Sequence, residues 1–112
     1  MKIDWAYLRK GWTSCKKAQE FLEQAGIEID EVVDARKQKI DASQAWDTVA
    51  QAGIITVAKG KKVVVFSNVA VEEDAVLKQV MGPSGNLRAP TFRVGQDFVI
   101  GFHQDMYEEK FK

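Results

Sequence analysis

The first 33 residues constrain the fold more than any other stretch of this 112-residue chain. Ile3, Trp5 and Tyr7 alternate with Asp4 and Ala6, which predicts a strand over residues 2–8. Gly11-Trp12-Thr13 then breaks the alternation. Ala18, Phe21, Leu22 and Ala25 recur at helical spacing and predict a helix over residues 14–25, capped by Thr13 or Ser14 and stopped by Gly26. Ile27 and Ile29 alternate with Glu28 and Asp30, predicting a second strand over residues 27–33. Strand, crossover helix and strand form a βαβ unit, whose two strands pair in parallel with a right-handed connection. Leu8 lies on the opposite face from Trp5 and Tyr7, so partial burial on both faces is expected for the first strand, as for a central strand. This start commits the chain to the α/β class.

The remainder alternates helical and extended patterns. Asp34 to Lys39 is a charged connector. Asp41 followed by Gln44 suggests an N-terminal cap, and Ala42, Ala45, Trp46, Val49 and Ala50 give an amphipathic helix ended by Gly53. Ile54–Ala58 and Lys62–Phe66 are β-rich and flank Lys59-Gly60-Lys61, which predicts a hairpin. Ser67 or Asn68 is expected to start a third helix. Glu72, Glu73 and Asp74 suit its first turn, Val71, Ala75, Leu77, Val80 and Met81 form its apolar side, and Gly82-Pro83 stops it. Thr91–Val94 and Phe98–Phe102 read as two strands joined by a three-residue loop, Gly95-Gln96-Asp97. Met106, Tyr107 and Phe111 place a last helix over residues 103–112, with His103 in its cap region.

Composition narrows the function classes. Length fits one domain with a single core. Sixteen Lys plus Arg balance sixteen Asp plus Glu, so there is no net basic field for direct nucleic-acid binding. No apolar run approaches the roughly 20 residues that span a bilayer, and the first residues lack the apolar segment of a signal peptide. No membrane partner is expected. A single cysteine forms no internal disulfide, which fits a cytoplasmic location. One His and one Cys do not make a metal site. Gly82 to Gly85 precedes a strand rather than a helix, so it is no phosphate loop.

Chemistry concentrates at Cys15. It sits where a loop enters a helix, and a helix N-terminus favours a nearby anion, the setting of low-pKa thiols. Lys16 and Lys17 add positive charge that would help to hold a thiolate or an anionic substrate. The plainer alternative is a packed cysteine, because free cysteine is among the most buried residue types.

Two blocks carry a resemblance. Trp12-Thr13-Ser14-Cys15-Lys16-Lys17-Ala18 resembles the Cys-x-x-Cys-Arg-Lys-Ala segment of the arsenate reductase and Spx family of thioredoxin-like proteins. Leu87-Arg88-Ala89-Pro90-Thr91-Phe92-Arg93-Val94-Gly95, followed by Phe98-Val99-Ile100-Gly101-Phe102, resembles that family's cis-proline turn and strand pair. The resemblance implies a single thioredoxin-like domain over residues 1–112, with a central mixed sheet, flanking helices and an inserted helical and hairpin segment at about 36–82. It implies a cis bond before Pro90, although sequence alone favours trans there. It makes position 12 the attacking site and Cys15 the resolving thiol, with Thr13, Lys16, Arg88, Ala89 and Pro90 around the substrate.

Trp12 departs from the family pattern, because an indole cannot attack a disulfide, peroxide or arsenate. Two readings stand side by side. Trp12 is either a genuine tryptophan in a member without the chemistry, or it stands where the native residue is cysteine or selenocysteine. Similar family members carry selenocysteine at this place, and its codon UGA differs from the tryptophan codon UGG only in the third base. The implied function is a thiol or selenol oxidoreductase with no bound cofactor, using glutathione or thioredoxin as electron donor. Its redox cycle is impaired while Trp12 is present. Its substrates would be disulfides, peroxides or oxyanions. Arsenate fits least, because a tetrahedral oxyanion needs several charged donors and the later family arginine has no match in Phe98-Val99-Ile100-Gly101-Phe102; Arg88 is close to one family arginine, and Arg93 reads as solvated or structural. The alternative is a non-enzymatic adaptor, like the Spx-type regulators that bind RNA polymerase.

Overall fold

The computed structural model describes residues 2–111. Strand β1 (Lys2–Leu8) feeds helix α1 (Thr13–Gln24), which returns to strand β2 (Glu28–Asp34). β1 and β2 pair in parallel, with Ile3 opposite Ile29 and Tyr7 opposite Val33, as the βαβ pattern requires. Helix α2 (Ala42–Val49) follows the charged connector. Asp41 caps it: its carboxylate accepts from the Gln44 N–H at 2.9 Å, and the Gln44 side chain accepts from the Asp41 N–H at 3.1 Å. Strands β3 (Ile55–Lys59) and β4 (Lys62–Phe66) form the expected hairpin. Gly60 takes φ +60° at the first central position, the conformation a type II′ turn demands.

Helix α3 (Glu73–Val80) departs from the sequence reading. The segment after Asn68 is a single 3₁₀ turn, Val69–Val71, and the backbone leaves helical geometry at Glu72 (φ −121°, ψ 35°) before α3 begins. That break resets the helical register. Val71 is left 72% exposed and Ala75 faces solvent, while Val76 and Val80 form the buried stripe with Leu77 beside them. Strands β5 (Thr91–Val94) and β6 (Asp97–Ile100) are joined by two residues, not three, because Asp97 pairs with Val94. Helix α4 (Gln104–Phe111) closes the described chain.

The six strands described form one mixed sheet in the order β2-β1-β5-β6-β3-β4. β1 and β5 are antiparallel, β5 and β6 antiparallel, and β6 and β3 parallel. The β3–β4 hairpin, expected within an inserted segment, therefore continues the same sheet beyond β6. β1 lies inside the sheet, and Ile3, Ala6, Tyr7 and Leu8 are buried. Trp5 is half-buried and stacks on Tyr7 at 6.0 Å, while Trp46 packs half-buried against the core.

Tyr107 anchors α4 at the centre of an aromatic cluster. Its ring meets Phe21, Phe92, Phe102 and Phe111 edge-on, with centroids at 5.5, 6.2, 4.8 and 5.1 Å. Its hydroxyl donates to the Gly101 carbonyl at 2.6 Å, so the buried polar tip is satisfied. His103 Nδ1 accepts from the Met106 N–H at 3.3 Å, which places it in the cap of α4 as expected. Among the described residues no helix is long and apolar enough to cross a membrane.

Candidate functional site

A cleft of about 710 Å³ opens where the first loop, the β3–β4 turn and the segment before β5 converge. Its size suits a small molecule or a short peptide segment. Arg9, Trp12 and Ser14 form one wall, and Gly82 to Ser84 with Leu87, Arg88 and Ala89 form another. Ala58, Lys59, Gly60, Gly101 and Phe102 close it from the hairpin side. The charged side chains described along it are Arg9, Lys59 and Arg88, all cations.

The strand order explains the convergence. β5 lies next to β1, so the residues that enter β5 meet the loop that leaves β1. A hydrogen-bond network fixes the approach. Asn86 donates to the Tyr7 hydroxyl at 2.9 Å and accepts from the Ile40 N–H at 2.6 Å. The Tyr7 hydroxyl donates to the Gln38 carbonyl at 2.6 Å. Main-chain bonds from Leu87 to Ile40 and from Arg88 to Val80, each 2.9 Å, tie the segment to the connector and to α3. The Ala89–Pro90 peptide is cis, as the resemblance implies. Gly101 N–H donates to the Pro90 carbonyl at 2.8 Å. Gly101 has φ +83°, and a Cβ there would collide with the Ala58 carbonyl oxygen, so only glycine lets β3 and β6 close around the cleft floor.

Positions 12 and 15 occupy different environments. Trp12, not Thr13 or Ser14, is the N-cap residue of α1, and the cap has no side-chain hydrogen bond. The reason is chemical: an indole offers no acceptor to the first-turn N–H groups. Trp12 is 43% exposed, and the Arg9 guanidinium lies over its ring at 4.6 Å, a cation–π contact. Cys15 points inward and is 2% exposed. Its Sγ accepts from the Arg9 main-chain N–H at 3.4 Å. Burial pushes its pKa up, and the Arg9 N–H offsets part of that rise. Burial therefore works against the low-pKa thiol suggested by its place at a helix N-terminus.

Of the residues named from sequence, Trp12, Arg88 and Ala89 line the cleft together. Thr13 and Lys16 are exposed on α1 and do not line it; Ser14 takes that place. Pro90 is buried behind Ala89 and reaches the site through its carbonyl bond to Gly101. Arg88 has its Nε buried without a hydrogen-bond partner among the described residues, next to the cleft. Arg93 donates to the Gly95 carbonyl at 3.2 Å, in line with its structural reading. Arg9 and Lys59 were not legible as site residues. Arg9 follows a strand as an ordinary charge, and Lys59 reaches the cleft only because the hairpin joins the sheet beside β6. No group of three or more metal-ligating side chains is found among the described residues.

A scan against protein-family models and a search of curated proteins each return no match for the chain.

Proposed function

We propose that the chain is a thioredoxin-like domain related to the arsenate reductase and Spx proteins, and that its cleft is a thiol or selenol redox site with position 12 as its attacking place. The observation that carries this reading is the uncapped N-terminus of α1, whose N-cap side chain is exposed at the cleft one turn before a buried cysteine. An N-cap side chain is placed to accept from the N–H groups of the next two or three residues. Trp12 cannot accept. A thiolate or selenolate there would, beside the Arg9 guanidinium, and both effects lower its pKa.

The chemistry follows from that placement. The anion at position 12 attacks one sulfur of a substrate disulfide. A mixed disulfide forms, and the other substrate sulfur leaves as thiolate. Cys15, deprotonated, then attacks the position-12 chalcogen, closes the 12–15 bond and releases the second thiolate. The substrate gains two electrons from the pair, and glutathione or thioredoxin returns them. With Trp12 in place the first step has no nucleophile, so the chain as written does not turn over. Installing Trp12→Cys and measuring disulfide and peroxide reduction with glutathione or with thioredoxin tests the reading. Turnover above the Trp12 form is expected; none would overturn it. The native codon at position 12 separates the two origins of Trp12: UGA marks selenocysteine, and UGG without a selenocysteine-insertion element marks a genuine tryptophan.

One observation favours a second reading, a non-enzymatic adaptor that binds RNA polymerase. Exposed Trp12 with half-buried Arg9 across its face is an aromatic–arginine pair, the residue types that dominate protein interfaces. A polymerase complex lost on Trp12→Ala but kept on Cys15→Ser would support the adaptor. A substrate mixed disulfide trapped in the Trp12→Cys/Cys15→Ser chain would support the reductase.

A further inference from the structure

The two outer strands of the sheet are unlike each other. β2 carries Glu28, Asp30, Glu31 and Asp34 within seven residues, the charged dressing that keeps an edge from pairing. β4 reads Lys62-Val63-Val64-Val65-Phe66, and among the described residues nothing pairs with its outer side. Val63 and Val65 are 41% and 57% exposed. They sit beside Thr56 and Met106 on the side of the sheet that α4 covers. An apolar edge strand without proline or interior charge is a template for another strand.

Symmetry identifies the occupant. The β3–β4 hairpin has a two-residue loop and pairs Lys59 with Lys62. Residues flanking such a loop exchange hydrogen bonds, and bonding then alternates along the ladder. Lys62, Val64 and Phe66 therefore direct their main-chain groups inward to β3, and Val63 and Val65 direct theirs outward. We propose that β4 pairs antiparallel with β4 of a second copy about a two-fold axis at Val64, which joins the two sheets into one.

In this register Val63 of each copy faces Val65 of the other, and Val64 faces Val64. All four outward N–H and carbonyl pairs of the two strands are used, giving four hydrogen bonds. Lys62 lies opposite Phe66, so no lysine faces its own copy. A shift of two residues either way runs into the Gly60 turn or past Phe66 and loses part of this set. Pairing on β2 of another copy would instead set valines against four carboxylates that must leave water. A five-residue strand is only about 17 Å long, so the interface falls below the roughly 1,200 Å² of stable complexes. The dimer is therefore reversible and depends on concentration.

Sedimentation velocity over a wide concentration range tests the proposal. The mass should rise from one chain toward two and stop there. The pair Val63→Lys/Val65→Lys sets lysine against lysine and should hold the chain at one mass with unchanged circular dichroism, whereas Val32→Lys on β2 should change nothing. In a Cys15→Ser background, mild oxidation should cross-link Val64→Cys copies well and Val63→Cys or Val65→Cys copies poorly, because only position 64 meets itself; this readout stands even if the lysine pair fails to fold. A single mass at every concentration, growth past two chains, or equal cross-linking at all three positions overturns the proposal.

Discussion

Trp12 and Cys15 are one turn apart on α1, yet the fold treats them oppositely. The first lies open at the cleft with the Arg9 guanidinium over its ring; the second is enclosed by the core, and its Sγ is held by the Arg9 main-chain N–H. The same arginine serves both side chains, with its guanidinium over the Trp12 ring and its main-chain N–H on the Cys15 Sγ. The difference separates two demands that a redox pair makes. The attacking atom must be reachable and stabilised as an anion. The resolving atom must be protected until the first bond has formed. On the proposed redox reading the scaffold separates these demands, with a tryptophan at the position proposed to attack.

The hardest way to break this comparison is to place the same charge at each position. Cys15→Asp puts a carboxylate where the side chain is 2% exposed and should cost about 3 kcal/mol or more in urea unfolding. Trp12→Asp loses a cation–π contact worth about 0.5–1 kcal/mol but supplies the missing N-cap acceptor, worth about 1 kcal/mol. Its net effect should be stabilising or near zero. Equal losses at the two positions would remove the distinction. Gly101→Ala probes the floor of the cleft instead. A positive φ without glycine costs about 1–3 kcal/mol, and the clash with Ala58 adds to it, so a drop of about 2 kcal/mol or more is expected in the same assay.

Alkaline pH sharpens the contrast. Burial raises the Cys15 pKa above its usual 9.0, so the folded chain holds the thiol proton more tightly than the unfolded one. The stability due to this group is complete below the unfolded pKa. It is lost as pH rises through the folded value. Tyr107, also raised by burial, adds a loss of the same sign at higher pH. Denaturation curves should show falling stability above about pH 9, with the first part of the fall missing in Cys15→Ala. An equally steep first part in that variant would place the effect elsewhere.

Arg9→Ala is the mildest test. It removes the guanidinium from Trp12 and leaves the N–H that binds Cys15. The stability loss should be under about 1 kcal/mol, and the alkaline profile should keep its shape. A changed profile would mean that the Arg9 side chain, not its main chain, sets the Cys15 environment.

Local pattern carried far in this chain. The βαβ start, the Asp41–Gln44 capping box, the β3–β4 hairpin and the Met106, Tyr107, Phe111 stripe all follow from spacing and turn residues. What failed also has local causes. Three acidic residues after Asn68 fit the first turn of one continuous helix, and no residue type marks the Glu72 break that separates the 3₁₀ turn from α3. The hydroxyls of Thr13 and Ser14 point to a cap there, while the backbone places the boundary of α1 at Trp12. The candidate cleft was legible where the two resembling blocks meet, at Trp12, Arg88 and Ala89, whereas Cys15 is buried and does not line it. Arg9 and Lys59 depend on the sheet order, which joins residues far apart in sequence and has no local signature.

The most direct test of the site is the oxidation state of the Trp12→Cys chain. Residues three apart at a helix start have Cβ atoms about 5–6 Å apart, near the reach of a disulfide. Mild oxidation followed by intact-mass measurement should show monomer lighter by two hydrogen atoms, and Cys15→Ser in the same chain should abolish that change. Two free thiols, or cross-linked chains in place of the internal bond, would contradict the pairing of position 12 with Cys15 and the redox reading built on it.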